Sequence, residues 1–223
     1  MTASLRTALT PADAQDADAS RILCIRHCQS TDNAAGVHSS RPPGAGLTDL
    51  GRSQAREAYE AIRAEPVTAV YTSTARRAME TAEILAAEFG LAALPDRGLL
   101  EYDIGVLEGV SGAEVGRRSQ EILRRWLVEG ELEVALPDGE NGRAVAARFG
   151  ASMTRIAQAH PRETVVVVTH VGTLTVGLIS LCADLTADRV WGRPLGHGVP
   201  VTVSRGASGW SCTGWPSGRS EPS

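Results

Sequence analysis

Lysine is absent: all 22 basic residues of the 223-residue chain are arginine. That excludes Schiff-base catalysis and any phosphate loop built on a lysine, although a GC-rich coding bias accounts for the skew itself. Aromatic residues are sparse at 4%, so Trp126, Trp191, Trp210 and Trp215 read as packing residues rather than as a stacking platform. Cys24, Cys28, Cys182 and Cys212 show no CxxC and no Cys/His ligand spacing, which speaks against a structural metal. Thiols in apolar segments are ordinary buried residues, so a reduced, cytoplasmic protein is the expectation. No apolar run approaches the ~20 residues of a membrane span, and the first twenty residues hold no apolar core of a secretory signal. A formal charge of −4 gives no broad cationic face for nucleic acid or anionic lipid.

What is present is the pattern of an ordinary globular α/β chain, 43% hydrophobic and 22% charged. Short apolar runs bounded by polar or turn residues read as buried parallel strands, here at 21–26, 67–72 and 165–169, with a short one at 91–94. Helical spacing and caps predict helices over 49–64 (Thr48 as N-cap), 75–89 (closed by Gly90), 117–129, 140–159 and 172–183. Two further strands are predicted at 199–204 and 210–213. The alternation predicts a single three-layer α/β domain over 21–214, with a mostly parallel central sheet and helices on both faces. Residues 1–20 read as a flexible N-terminal arm and 215–223 as a flexible tail.

Two of the five histidines stand at the carboxyl ends of predicted strands, His27 after Ile22–Arg26 and His170 after Val165–Thr169. In open α/β sheets the ligand crevice lies outside those ends. Arg26 beside His27, followed by small polar residues, offers a guanidinium fork and backbone N–H donors to a phosphate. The segment from Tyr71 to Ala82 ends a strand in hydroxyls and starts a helix with Arg76 and Arg77. A cation in the first turn opposes the helix dipole, a cost that a bound anion would offset; a solvated arginine pair explains the segment equally well. Around Glu101, Asp103 and Glu108, acidic and apolar residues interleave. A carboxyl held half-buried among apolar groups would have its pKa raised toward general-acid use.

In this order the segments resemble the histidine phosphatase, or phosphoglycerate mutase-like, superfamily. Arg26-His27-Cys28-Gln29-Ser30 with Asn33 matches the family's first motif. Leu47-Thr48 through Gln54-Ala55, the stretch 72–82, the loop 99–109, Gly139-Glu140 and His170 follow in register. The resemblance implies a metal-independent phosphomonoester hydrolase that needs no cofactor and acts on a small phosphorylated metabolite. His27 would be the nucleophile, Glu101 the proton donor, and Arg26, Arg77 and His170 the charge-stabilising groups. Ser30, Thr31 and Asn33 would add hydrogen bonds to the phosphate.

Cys28 and Val171 stand where the family has glycine. Glycine permits positive φ and close backbone approach, so both positions are expected to reshape the site. A thiolate beside Arg26 would also have a lowered pKa and nucleophilic character, but the Cys-x5-Arg spacing of cysteine phosphatases leads from Cys28 to Ala34. The Phe-x-Gly-Trp motif of the mutases is missing from the loop 36–46, which favours phosphatase over mutase-type phosphotransfer. His38 and Arg41 in that loop are candidates to touch the rest of the substrate, and a surface loop is the plainer reading. His197 is placed at the rim of the same sheet edge. A catalytically weakened phosphate-ester binding protein is the alternative class, and a homodimer is left open.

Overall fold

The computed structural model describes residues 19–216; the predicted arm over 1–18 and the end of the tail, 217–223, lie outside the described residues. Six strands form one sheet: β1 (Ser20–Arg26), β2 (Val67–Thr72), β3 (Ala93–Pro95), β4 (Thr164–Thr169), β5 (Pro200–Gly206) and β6 (Gly209–Thr213). Their order is β3-β2-β4-β1-β5-β6. The first four are mutually parallel, and β5 runs antiparallel to β1 and to β6. The helices are α1 (Thr31–Ala35), α2 (Asp49–Ile62), α3 (Arg76–Glu88), α4 (Ala113–Leu127), α5 (Gly142–Ala159), α6 (Val171–Leu181) and α7 (Ala187–Val190).

β4 shows why the sheet is parallel and central. Its sequence TVVVVT is buried at every position, as expected of a strand covered on both faces. The period-2 alternation of side chains sorts the core into two halves. Leu23, Ile25, Val70, Val166 and Val168 pack under Ala58, Ile62, Ala82 and Leu85 of α2 and α3. Ile22, Cys24, Val165 and Val167 face Phe149, Met153, Ile156, Leu174 and Leu178 of α5 and α6. The predicted three-layer α/β architecture is therefore the one observed.

Several boundaries moved, each for a local reason. α4 begins at Ala113, not 117, because Val115 and Gly116 already donate their N–H groups back to Gly112 O (3.1 and 3.3 Å). β3 starts two residues later than predicted, since Leu91 donates its N–H back to Ala86 O of α3 (2.8 Å). Ser20, read as part of the arm, is a buried residue of β1. Trp215, read as the start of a loose tail, is only 6% exposed. It packs into the α5–α6 half of the core and donates Nε1–H to Arg193 O (3.1 Å).

Candidate active site

The sheet order puts the carboxyl ends of β2, β4 and β1 side by side, and each supplies a polar residue immediately after its last pairing. Ser73 follows β2, His170 follows β4 and His27 follows β1; the ladder continues through His27 N–H to Thr169 O (2.8 Å) and Ser73 N–H to Val168 O (3.0 Å). The two imidazoles thus stand on rigid backbone, their ring centroids 5.0 Å apart.

Arg77 joins them. It is 2% exposed; its Nε donates to His27 Nε2 (3.1 Å), and one terminal nitrogen donates to both His170 Nδ1 (3.1 Å) and Ser39 O (3.0 Å). A guanidinium has no acceptor, so these contacts fix both tautomers. His27 carries its proton on Nδ1 and donates it to Cys28 O (2.8 Å), leaving the Nε2 lone pair toward the cleft. His170 carries its proton on Nε2, against Ser73 Oγ (2.6 Å). Burial, reinforced by the Arg77 charge, holds both imidazoles well below their usual pKa. Arg77's other terminal nitrogen and Arg26 Nε are buried with no protein partner, while Arg26's Nη1 donates to Leu195 O (2.8 Å). Unsatisfied buried N–H groups are costly and rare; two guanidinium donors beside a nucleophile form a cradle for an anion.

Of the arginine pair, the resemblance implied Arg77 as the phosphate residue. Arg76 is exposed and bridges Glu80 (2.8 Å), whereas Arg77 turns inward. Glu101 lines the same cleft, a cavity of about 600 Å³ shared by Arg26, His27, Asn33, His38 and Val171. Glu101 is half-buried, as expected, and its carboxyl is engaged by backbone N–H groups. It caps the N-terminus of α6, accepting from the N–H groups of Gly172 (3.1 Å) and Thr173 (2.8 Å), and from Tyr102 N–H (3.0 Å). Gly172 is required for that cap, because a Cβ there would stand 2.8 Å from Glu101 Oε1.

Other expectations are corrected. Ser30 is fully buried and serves as N-cap of α1, with Asn33 N–H donating to its Oγ (3.2 Å), so its hydroxyl is committed to the cap. Asn33 lines the cleft, while Thr31 is exposed and does not. Of the two loop candidates, His38 lines the cleft; Arg41 pairs with Asp103 (3.1 Å) and opens on a neighbouring cavity. Cys28 and Val171 are not strained: among the described residues the non-glycine positions with positive φ are Asp138 and Arg162. Cys28 is fully buried with Leu47 and Ala55, away from the cleft. Burial pushes its thiol up to about 11, the opposite of an activated nucleophile. Cys28→Ser is expected to leave turnover within about twofold of the parent, checked by steady-state kinetics.

Two supporting residues went unread in the sequence. Ser73 anchors His170, and its only signal was a hydroxyl at a strand end. Arg148, on α5, donates to the carbonyls of Gly98 (2.9 Å), Leu100 (2.7 Å) and Glu101 (3.2 Å) while paired with Glu140 (2.8 Å). It clamps the backbone that carries Glu101, and nothing in its local sequence marks it. His197, expected at the rim, donates Nδ1–H to His27 O (2.8 Å), and burial lowers its pKa to about 4. Among the described residues no group of three His, Cys, Asp or Glu side chains is placed to hold a metal ion.

Set against known proteins, residues 22–217 match the profile of the Histidine phosphatase superfamily (branch 1). The chain belongs to that superfamily. It is 32% identical over 165 residues to phosphoglycerate mutase-like protein 4 of Arabidopsis thaliana, covering 73% of this chain and 71% of the relative. Phosphoserine phosphatase 1 of Hydrogenobacter thermophilus is 28% identical over 170 residues, 75% of this chain and 77% of that protein. A bifunctional protein of Mycobacterium tuberculosis is 33% identical over 166 residues, 74% of this chain, and the match spans 44% of its length. Among solved structures, a mycobacterial glucosyl-3-phosphoglycerate phosphatase complexed with VO3 superposes with a TM-score of 0.75 at 24% identity, over 89% of this chain and 99% of that one. This superfamily member therefore shares both sequence motifs and fold with phosphatases and mutases of phosphorylated metabolites.

Proposed function

We propose that the protein is a phosphomonoester hydrolase acting on a small phosphorylated metabolite through a phosphohistidine on His27. The observation that carries the reading is Arg77, buried between His27 Nε2 and His170 Nδ1, with a further unpartnered guanidinium donor of its own and another on Arg26. A phosphoryl group entering the cleft draws those N–H groups onto its oxygens and releases the Nε2 lone pair. His27 Nε2 then forms a bond to phosphorus as the ester P–O bond breaks, and the leaving oxygen takes the proton of Glu101. Water, giving its proton to the Glu101 carboxylate, attacks the phosphohistidine; the P–N bond breaks and inorganic phosphate leaves. His170, Arg26 and Arg77 spread the charge of the transferring group, the main contribution a protein makes to phosphoryl transfer. The chemistry calls on no metal or cofactor.

The test is a rapid quench with a 32P-labelled ester. Label that is stable to alkali, labile to acid and mapped to His27 is the expected result; label elsewhere overturns the mechanism. Absence of turnover with retained phosphate binding would instead make the protein a phosphate-ester binder. A cytoplasmic setting belongs to this reading and is supported by the four buried, unpaired thiols. Among the described residues no helix is long and apolar enough to cross a membrane. A homodimer is a further part of the reading, checked by sedimentation.

The neutral imidazoles also set a pH dependence. His27, His170 and His197 have folded pKa values below the unfolded value of about 6.5. Below that pH the unfolded chain binds more protons than the folded one, so stability is complete above it and falls as the pH drops toward the folded values. Each fully buried imidazole is expected to remove about 3 °C of Tm per pH unit in that window. Saturating phosphate should shrink the loss, since an anion that compensates an imidazolium raises the folded pKa toward the unfolded one. Calorimetric melts between pH 7 and 4 check both.

A further inference from the structure

The half of the cleft beyond the phosphate cradle has a composition that selects the alcohol. Among the described residues, Arg26, Arg77 and Glu101 are the Arg, Asp or Glu side chains that line the cavity; Val37, Ile104, Leu123 and Val171 supply apolar wall, and Ser119 and Gln120 neutral hydrogen-bonding groups. The neutrality is built by α4, which closes this side. Gly116, Ser119, Gln120 and Leu123 fall at helical spacing and turn one uncharged stripe inward. The four arginines of the same helix sit off that stripe: Arg117 and Arg118 are exposed, with Arg117 paired to Glu114, while Arg124 and Arg125 pair with Glu121 and Glu131. Arg41, the cation of the opposite loop, is held by Asp103 and opens elsewhere.

We propose that this subsite selects phosphomonoesters of uncharged, partly apolar alcohols and rejects esters whose alcohol carries a second anionic group. The proposal rests on the hydrolase reading above and names its substrate class. A carboxylate brought into the subsite would lose water and meet no cation, and an unpaired, partly desolvated charge is the kind of element by which a site excludes a competitor. Val171, the first residue of α6, adds apolar wall beside Glu101 and Gly172.

The experiment compares kcat/KM for 4-carbamoylphenyl phosphate and 4-carboxyphenyl phosphate, which match in size and differ in one charge. It is run at pH 6 and pH 8, because His38 lines the cavity along with His27 and Tyr102. The neutral ester is expected to be preferred by about tenfold or more at both pH values; a ratio of about threefold or less, or an inverted one, overturns the proposal. Gln120→Arg, on an exposed position of α4, should raise kcat/KM for the carboxylate ester by about fivefold or more; no gain counts against the subsite. Hydrolysis of p-nitrophenyl phosphate by the parent but not by His27→Ala reports separately on the hydrolase reading. Should turnover be absent, calorimetric binding of the two esters to the His27→Ala protein reads the same preference.

Discussion

His27→Ala is expected to lower turnover of p-nitrophenyl phosphate by about 10⁴-fold or more, the scale on which enzymes lose a covalent nucleophile. The reasoning starts from its ring. Nδ1 is spent on the carbonyl of Cys28 (2.8 Å), so Nε2 is the only atom with a lone pair to give, and burial beside Arg77 keeps that lone pair unprotonated. Cys28 does not stand in reserve: it is buried away from the cleft with its thiol pushed up to about 11. Arg77→Ala alone should cost about 10³-fold, as loss of a charge-stabilising donor does in phosphoryl transfer. Because Arg77 acts on the group that His27 attacks, the double variant should fall little below His27→Ala. Fully additive losses would mean that the two residues serve different steps. Removing the imidazole also takes one acceptor from a buried guanidinium, at about 1–3 kcal/mol, so a melt of each variant separates lost chemistry from lost fold.

How much of this site the sequence disclosed follows from where its information is local. Strand ends are local: TVVVVT announces a strand buried on both faces, and a histidine directly after it must stand at the sheet's carboxyl edge. That β1, β4 and β2 are neighbours is not local, yet the alternating pattern allowed it and the family resemblance implied it. Between Arg76 and Arg77 the residues alone left the choice open and the family resemblance implied Arg77; the fold supplies the physical reason, since Arg77 turns inward against Ser39 and both imidazoles. Cys28 and Val171 were expected to reshape the site, and packing separates them: Val171 lines the cleft while Cys28 is buried away from it, and neither position has positive φ. Ser30 shows how one residue serves two readings: a serine after the Arg-His strand looks like a phosphate ligand, and the following Asn33 makes it a helix cap instead. Arg148 left no trace at all, since its three carbonyl partners lie 47 to 50 residues away.

Glu101→Gln carries the second large effect, and its size should depend on the alcohol released. For an alkyl ester, whose leaving oxygen needs a proton, the loss is expected at about 10²–10⁴-fold, the usual worth of a positioned general acid. For p-nitrophenyl phosphate the phenolate leaves with little help, so formation of the phosphoenzyme should be far less impaired. The second step still needs a base for water, and glutamine offers none. Phosphohistidine should therefore accumulate, seen as a burst of about one equivalent of nitrophenol before slow turnover. Equal loss of kcat/KM for both esters, or no burst, would remove Glu101 from proton transfer. The amide also replaces one of the two oxygens that accept from Gly172, Thr173 and Tyr102 N–H groups, at about 1 kcal/mol for one lost bond. Arg148→Leu separates that structural cost from the chemical one. It frees the carbonyls of Gly98, Leu100 and Glu101 and strands Glu140 without touching the carboxyl group. If Arg148 acts by positioning, the variant should lose about tenfold or more on the alkyl ester and less on the p-nitrophenyl ester, following Glu101→Gln in direction, with partial rescue by Arg148→Lys. A loss equal for the two esters would instead mark Arg148 as a purely structural clamp.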